Sequence, residues 1–434
     1  MLRMLTRIVR FLYMLRSKSL RIVLFLIALV AIVWFTIAAL YVPDFPIQSP
    51  ERRAVGRLVG QQQFNFVMWE VEAVWTKVQS AVARSERLLD EDAQRQVVLD
   101  YLAITGEARR LNFRLEQVYA ISENPETDAA EISAELAAVR AQLTEIRPIA
   151  ESILQNQVAA ILKKEEMQLL GGAWPPVQAQ VTPLPLILIV SPRDRIEQQI
   201  QVSLKNGIPI PDRDALENAI AEELGLSALV VPIGGLGTYP AMISERSDIN
   251  SLVNTIAHEW AHHWLSLYPL GRNYATLPEL RTINETAATI VGGEIGEQVV
   301  EQFYPAFVPP ELPETQRQND NSAEKEPPTF DFREEMRLTR IRVDELLAAG
   351  EIEAAEQYME ERRQLFVDNG YLVRKINQAY FAFYGAYAAR GGATGSDPVG
   401  PTVVALREQS ATLRDFLKAI APVLSFEALQ TLVD

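Results

Sequence analysis

Residues 249–267 read INSLVNTIAHEWAHHWLSL, Ile249 to Leu267, with neither Gly nor Pro. Apolar residues recur through the run at helical spacing, and Ser247-Asp248 just before it offers an N-cap. The stretch therefore predicts a helix from about Asp248 to Leu267. Inside it lies His258-Glu259-Trp260-Ala261-His262, an HExxH sequence. Residues i and i+4 of a helix share a face, so His258 and His262 can present two imidazoles to one metal ion. Glu259, one residue round, stands where it can take a proton from a water on that metal. The plainer reading is a histidine pair on a surface helix, which has no use for the glutamate.

The 434-residue chain has three histidines and no cysteine. That excludes a disulfide scaffold, a cysteine nucleophile, an iron–sulfur site and any zinc site built on thiolates. A catalytic zinc needs a third protein ligand and one open position. The remaining histidine, His263, is about 100° further round the helix and reads as a neighbour of the ligands or a surface residue. A carboxylate must then complete the set. Glu285, 23 residues beyond His262, is the best candidate, with Glu294 as the alternative and a solvated helix glutamate as the plain reading. Glu285 lies in Ile283-Asn284-Glu285-Thr286-Ala287-Ala288 on a second predicted helix. Thr276-Leu277-Pro278-Glu279 opens that helix with capping-box spacing and Pro in the first turn. Tyr268 to Ala275 is short enough to fold it back against the first.

HExxH followed by an Asn-Glu-x-x-Ala helix resembles the gluzincin zinc peptidases, which include thermolysin-like enzymes and several aminopeptidases. The resemblance covers roughly residues 177–300 and extends more weakly to the C-terminus. The layout is also similar to that of membrane-anchored bacterial proteins regarded as aminopeptidases. It implies that His258, His262 and Glu285 bind Zn2+ and that Glu259 is the general base. The His262-to-Glu285 spacing is a few residues longer than in the best-known members. A sheet before the motif helix is implied too, its edge strand holding the substrate backbone by strand addition. Gly234 to Ile243 (GGLGTYPAMI) is in the right place, and its glycines would let a peptide approach closely. A glycine-rich turn reads nearly as well. No acid lies between Leu224 and Glu245 to hold a substrate amine, which leaves endopeptidase and aminopeptidase action both open.

Peptide hydrolysis needs a donor for the developing oxyanion, and no histidine is free to serve. Tyr380, Tyr384 and Tyr387 stand at i, i+4 and i+7 of an aromatic-rich predicted helix and would share a face. For any one of them, core packing is the competing explanation. Arg272 and Arg281 are further donor candidates.

The flanking sequence sets the context. Arg3, Arg7, Arg10, Arg16, Lys18 and Arg21 precede an uncharged run from Ile22 to Val42, while the whole chain carries a net charge of −15. As a helix the run reaches about 31 Å, enough for a bilayer core. Basic residues before it and acids after it place 1–21 in the cytoplasm and the catalytic part outside, as a single-pass cell-membrane protein. A cleaved signal peptide would need a shorter core and a small-residue cleavage site, which Tyr41-Val42-Pro43-Asp44 does not supply. The acidic remainder argues against nucleic acid as a partner.

Residues 43–170 read as a helical hairpin or bundle, with breaks at Asp90-Glu91-Asp92, Gly106 and Asn124-Pro125. Val67, Val71, Val74, Val78, Ala81, Ser85 and Leu88 form a helix-packing seam. The short breaks favour self-packing over an extended stalk, and self-association through 51–170 stays open. Leu186-Ile187-Leu188-Ile189-Val190, Ile200–Leu204 and Leu229–Ile233 read as strands of a small mixed sheet within a 171–308 core. Residues 309–330 read as a loop, and 331–434 as a helical part completing the site, with helices near 331–349, 351–367, 371–389 and 399–420.

The expected class is α+β and mostly helical: a transmembrane helix, a helical domain, a small mixed sheet, zincin-like helices and a C-terminal helical domain. The expected function is a membrane-anchored zinc metallopeptidase acting on a peptide or protein substrate. The alternative is a non-catalytic helical interaction protein whose motif is inert or binds a structural metal.

Overall fold

The structure, a computed structural model, describes residues 49–66, 69, 89–121, 125–310, 330–388 and 392–433. The chain divides into two compact units, Met1–Ala54 and Val55–Asp434. Of the first, residues 49–54 are described, and they open the helix Pro50–Val59. The second is mostly helical with small sheets, an α+β arrangement. Among the described residues no helix is long and apolar enough to cross a membrane. The expected span 22–42, the seam along 67–88 and most of the 309–330 loop lie outside them.

Two long helices, Glu91–Ile121 and Ala130–Lys164, form the helical hairpin. Asp90 starts the first by accepting from the Ala93 N–H at 2.8 Å. This helix runs straight through Gly106, where the sequence suggests a break. A glycine inside a helix costs only about 1 kcal/mol, which a buried face offsets. Here the glycine also faces the segment that caps the motif helix, since a Cβ on it would lie 3.5 Å from Ser247 Cβ.

The apolar run Leu186–Val190 becomes the central strand, Leu186–Pro192, of an antiparallel sheet. Ile200–Leu204 lies on one side and Leu226–Pro232 on the other. Leu186, Leu188 and Val190 pack with Leu216 and Ile220 of the helix Ile210–Leu224. Ile187 and Ile189 pack with Ala379 and Phe383 of the helix Gln378–Tyr384. A strand covered on both faces has no polar side to show, hence the unbroken apolar run. A second sheet pairs Ala179–Val181 in parallel with Ala241–Ile243, which pairs antiparallel with the edge strand Gly235–Leu236. The expected single mixed sheet is thus two three-stranded sheets, one antiparallel and one mixed, preceded by a two-stranded ribbon of Gln168–Leu169 and Gly172–Ala173.

The motif helix spans Ile249–Leu265, and Asp248 caps it by accepting from the Ser251 N–H at 2.7 Å. The helix Pro278–Phe303 packs against it. Glycines set the closeness of that crossing: a Cβ on Gly292 would lie 2.8 Å from Asn254 O, and one on Gly296 3.1 Å from Asn254 Cα. The expected capping box does not form. Leu277 occupies the cap position without a side-chain bond, Thr276 Oγ1 donates to Asn273 O at 2.8 Å, and Glu279 accepts from the Phe426 N–H at 3.2 Å. Proline in the first turn suffices as a start, because its missing N–H is one the helix would leave free anyway.

In the C-terminal part, Phe332–Ala348 and Ile352–Asp368 are helices as expected. The predicted helix over 371–389 shrinks to Gln378–Tyr384, capped by Asn377. The residues before it are tethered instead. Arg374 Nη2 donates at 2.5 Å and Lys375 Nζ at 2.7 Å to Glu217, whose side chain is fully buried and also accepts from the Val230 N–H at 2.7 Å. Three final helices, Val399–Gln409, Leu413–Ile420 and Phe426–Val433, close the chain. Their Val403, Phe416 and Leu429 share one core with Trp260, Ile283 and Val291 of the crossing pair and Leu102 and Leu154 of the hairpin.

Candidate metal centre

The crossing brings His258, His262 and Glu285 together, each offering one ligand atom to a common point. His258 Nε2 and His262 Nε2 are 3.1 Å apart, and Glu285 Oε2 lies 3.4 and 3.6 Å from them. Tetrahedral zinc with bonds of about 2.0–2.1 Å keeps its ligand atoms about 3.3 Å apart, so the triangle has the right size. Glu285 is buried and its Oε2 has no hydrogen-bond partner among the described residues. A buried carboxylate oxygen without a donor is a costly feature that a cation at this point would remove. Two imidazole nitrogens and a carboxylate are a donor set suited to zinc, and the residues present fit it.

Neighbours fix two of the three candidate ligands. His262 Nδ1 lies 2.8 Å from Asn284 Oδ1, an acceptor that leaves Nε2 free for a metal. The Tyr274 hydroxyl donates to Glu285 Oε1, the oxygen turned away from the histidines. Arg281, itself buried, donates from Nε to the Tyr274 hydroxyl at 3.3 Å and from Nη1 to Ala382 O at 2.8 Å.

The charges respond to this crowding. Burial opposes a charged His262, but the Glu285 carboxylate outweighs it, and the imidazole is pushed up to about 9. Burial likewise opposes a charged Glu285, and His262 and His258 overcome it to hold the carboxyl well below its usual range. Glu259 goes the other way: burial raises it, the two imidazoles counter in part, and Glu285 adds to the rise. No described residue donates a hydrogen bond to the Glu259 carboxylate. A buried, unpartnered carboxylate with raised proton affinity is suited to general-base work.

The edge strand crosses directly over Glu259. A Cβ on Gly235 would sit 2.1 Å from Glu259 Oε1, and one on Gly237 3.4 Å from His262 Cβ. At Gly235 only glycine lets the backbone come so near, whereas a Cβ on Gly237 would be in ordinary contact. His263 pins the following turn through Nε2 and Thr238 O at 2.6 Å, and burial lowers its pKa to about 4. It is therefore a buried strut and not a surface group.

The tyrosines divide. Tyr380 and Tyr384 lie ring to ring at 4.5 Å, tilted by 44°, and pack against the antiparallel sheet. Among the described residues, neither has a hydrogen bond or electrostatic influence linking it to the cluster. The helix ends at Tyr384, so Tyr387 leaves their shared face. The residue is 38% exposed overall, while its hydroxyl end is desolvated and raised, with the charges of Glu285, Tyr274 and Glu259 adding to the rise. Glu294 is bound to Arg407 through both oxygens, at 2.7 and 2.8 Å, away from the histidines. Arg272 is spent on Leu267 O at 2.5 Å.

Sequence reasoning passed over Tyr274, Asn284 and the pair Gly292 and Gly296. The glycines carried a signal, since small residues four apart on a helix mark a close crossing. Tyr274 carried none, because its contact depends on how the connecting turn folds. A search of protein-family models, of curated proteins and of solved structures returned no match.

Proposed function

We propose that this chain is a gluzincin-like zinc metallopeptidase. The observation that carries the reading is the converging trio His258, His262 and Glu285, beside an unpartnered Glu259 and under a glycine edge strand. The two imidazoles and Glu285 Oε2 would hold the metal, with Asn284 and Tyr274 orienting them. Zinc, when bound, supplies Lewis-acid polarisation of a carbonyl and acidifies water. Glu259 takes the proton from the attacking water and delivers it to the leaving amine, and its raised pKa suits both transfers. The edge strand Gly235–Leu236 aligns a peptide by backbone pairing. Tyr387, whose hydroxyl feels the Glu285 charge, would steady an oxyanion. The part from residue 43 onward would lie outside the cytoplasm, anchored by 22–42. That part of the proposal rests on the charge and apolar pattern of the sequence.

Metal content of the full-length protein in detergent tests the reading, beside cleavage of quenched fluorescent peptides. One zinc per chain is expected, lost in His258→Ala and Glu285→Ala. Glu259→Gln should keep the metal and lose cleavage by at least about a hundredfold. Folded protein that takes no zinc, or peptides left intact at full occupancy, would sink it.

A further inference from the structure

Arg246 follows the innermost strand of the mixed sheet and returns against the start of the edge strand. A Cβ on Gly234 would lie 2.5 Å from its Nη2, so the guanidinium rests on the Gly234 backbone. Arg246 has no ion pair or hydrogen bond with any described residue, and its Nε is buried without a partner. Three other half-buried arginines are paired: Arg193 with Glu356, Arg374 with Glu217 and Asp214, Arg407 with Glu294. A half-buried guanidinium with an idle fork of donors is a ready receptor for a carboxylate. Its position gives it a role. Gly234 adjoins Gly235, which lies on Glu259, and each strand residue advances about 3.4 Å.

We infer that Arg246 receives a carboxylate of the substrate, and that the site selects peptides with an acidic group within about two residues of the bond presented to Glu259. The inference rests on the metallopeptidase reading and names its substrate class. The acid is either an Asp or Glu side chain or the peptide's own C-terminus.

The test uses zinc-loaded full-length protein and quenched fluorescent peptides in matched pairs. One set exchanges Glu for Gln at each position around the cleaved bond. The other exchanges a free C-terminal acid for its amide, so the two sources of carboxylate are read separately. One acidic member is expected to exceed its neutral partner by at least about tenfold in kcat/KM, chiefly through KM. Arg246→Gln should bring that ratio close to one, Arg246→Lys should retain part of it, and Arg246→Glu should invert it. Gly234→Ala should also collapse the ratio, because the added methyl takes the place of a movable guanidinium. The affinity of each pair for zinc-loaded Glu259→Gln protein, followed by anisotropy, should show the same preference without turnover.

Cleavage with no acidic preference, or a preference that survives Arg246→Gln, overturns the inference and leaves the peptidase reading standing. No cleavage of any peptide sinks the peptidase reading. Equal binding of both members of every pair by the Glu259→Gln protein then sinks the inference as well.

Discussion

Glu285 uses its two oxygens differently, one toward the histidines and one accepting from the Tyr274 hydroxyl. Tyr274→Phe removes that donor and leaves Oε1 free to swing. Zinc affinity, measured by chelator competition, should fall about tenfold with little change in melting temperature. A pH effect follows for the metal-free protein. His262 is raised from 6.5 to about 9, so its contribution to stability is full below pH 6.5 and fades as pH rises through about 9. Glu285 is lowered from 4.5, so its contribution is present above that pH and fades as the carboxyl is finally protonated. Metal-free protein should therefore be helped most by this pair between about pH 4.5 and 6.5 and lose melting temperature toward pH 9. Saturating zinc should abolish that alkaline loss, which calorimetry with and without the metal would show. His258, Glu259 and His262 were legible in the sequence because a helix turns i and i+4 to one side whatever surrounds it. Glu285 was legible from the want of a further histidine, its place on a second predicted helix and the Asn-Glu-x-x-Ala resemblance. The pairing of Tyr274 with it belongs to tertiary structure, and Tyr387 was misread as a helix-face neighbour of Tyr380 because the helix stops first.

At the scale of elements, the contact between the motif helix and Pro278–Phe303 depends on glycine. Gly292→Ala would drive a methyl to within 2.8 Å of a main-chain oxygen, an atom that moves only with its helix. We expect a loss of about 1–3 kcal/mol in urea denaturation, with weakened zinc binding because the crossing holds Glu285 against the histidines. Gly293→Ala, where a Cβ meets nothing within 4 Å, should stabilise slightly and serves as the control. The motif helix was legible from its cap and its periodicity, and the central strand from its unbroken apolar run. The overlong helix drawn across 371–389 had the right composition, but Arg374 and Lys375 are bound to Glu217 and hold the chain out of helix until Asn377 restarts it. No local pattern announces such a tether.

Across the whole molecule, the tether fastens the C-terminal part to the antiparallel sheet. Removing both cations leaves the fully buried Glu217 carboxylate with little beyond the Val230 N–H. Arg374→Ala with Lys375→Ala should cost about 3–5 kcal/mol, and adding Glu217→Gln should recover much of it, as chemical denaturation of the three proteins would reveal. The shared core has a consequence for biosynthesis. All three residues of the proposed metal centre are encoded between residues 258 and 285, on two helices complete by Phe303. The carbonyl that anchors Arg281, on Ala382, emerges from the ribosome about a hundred residues later, and the helices that finish the core come last. A nascent chain thus displays these three side chains well before the scaffold that steadies them is made, and if they hold zinc as proposed, the timing of its capture can be followed on stalled chains of increasing length.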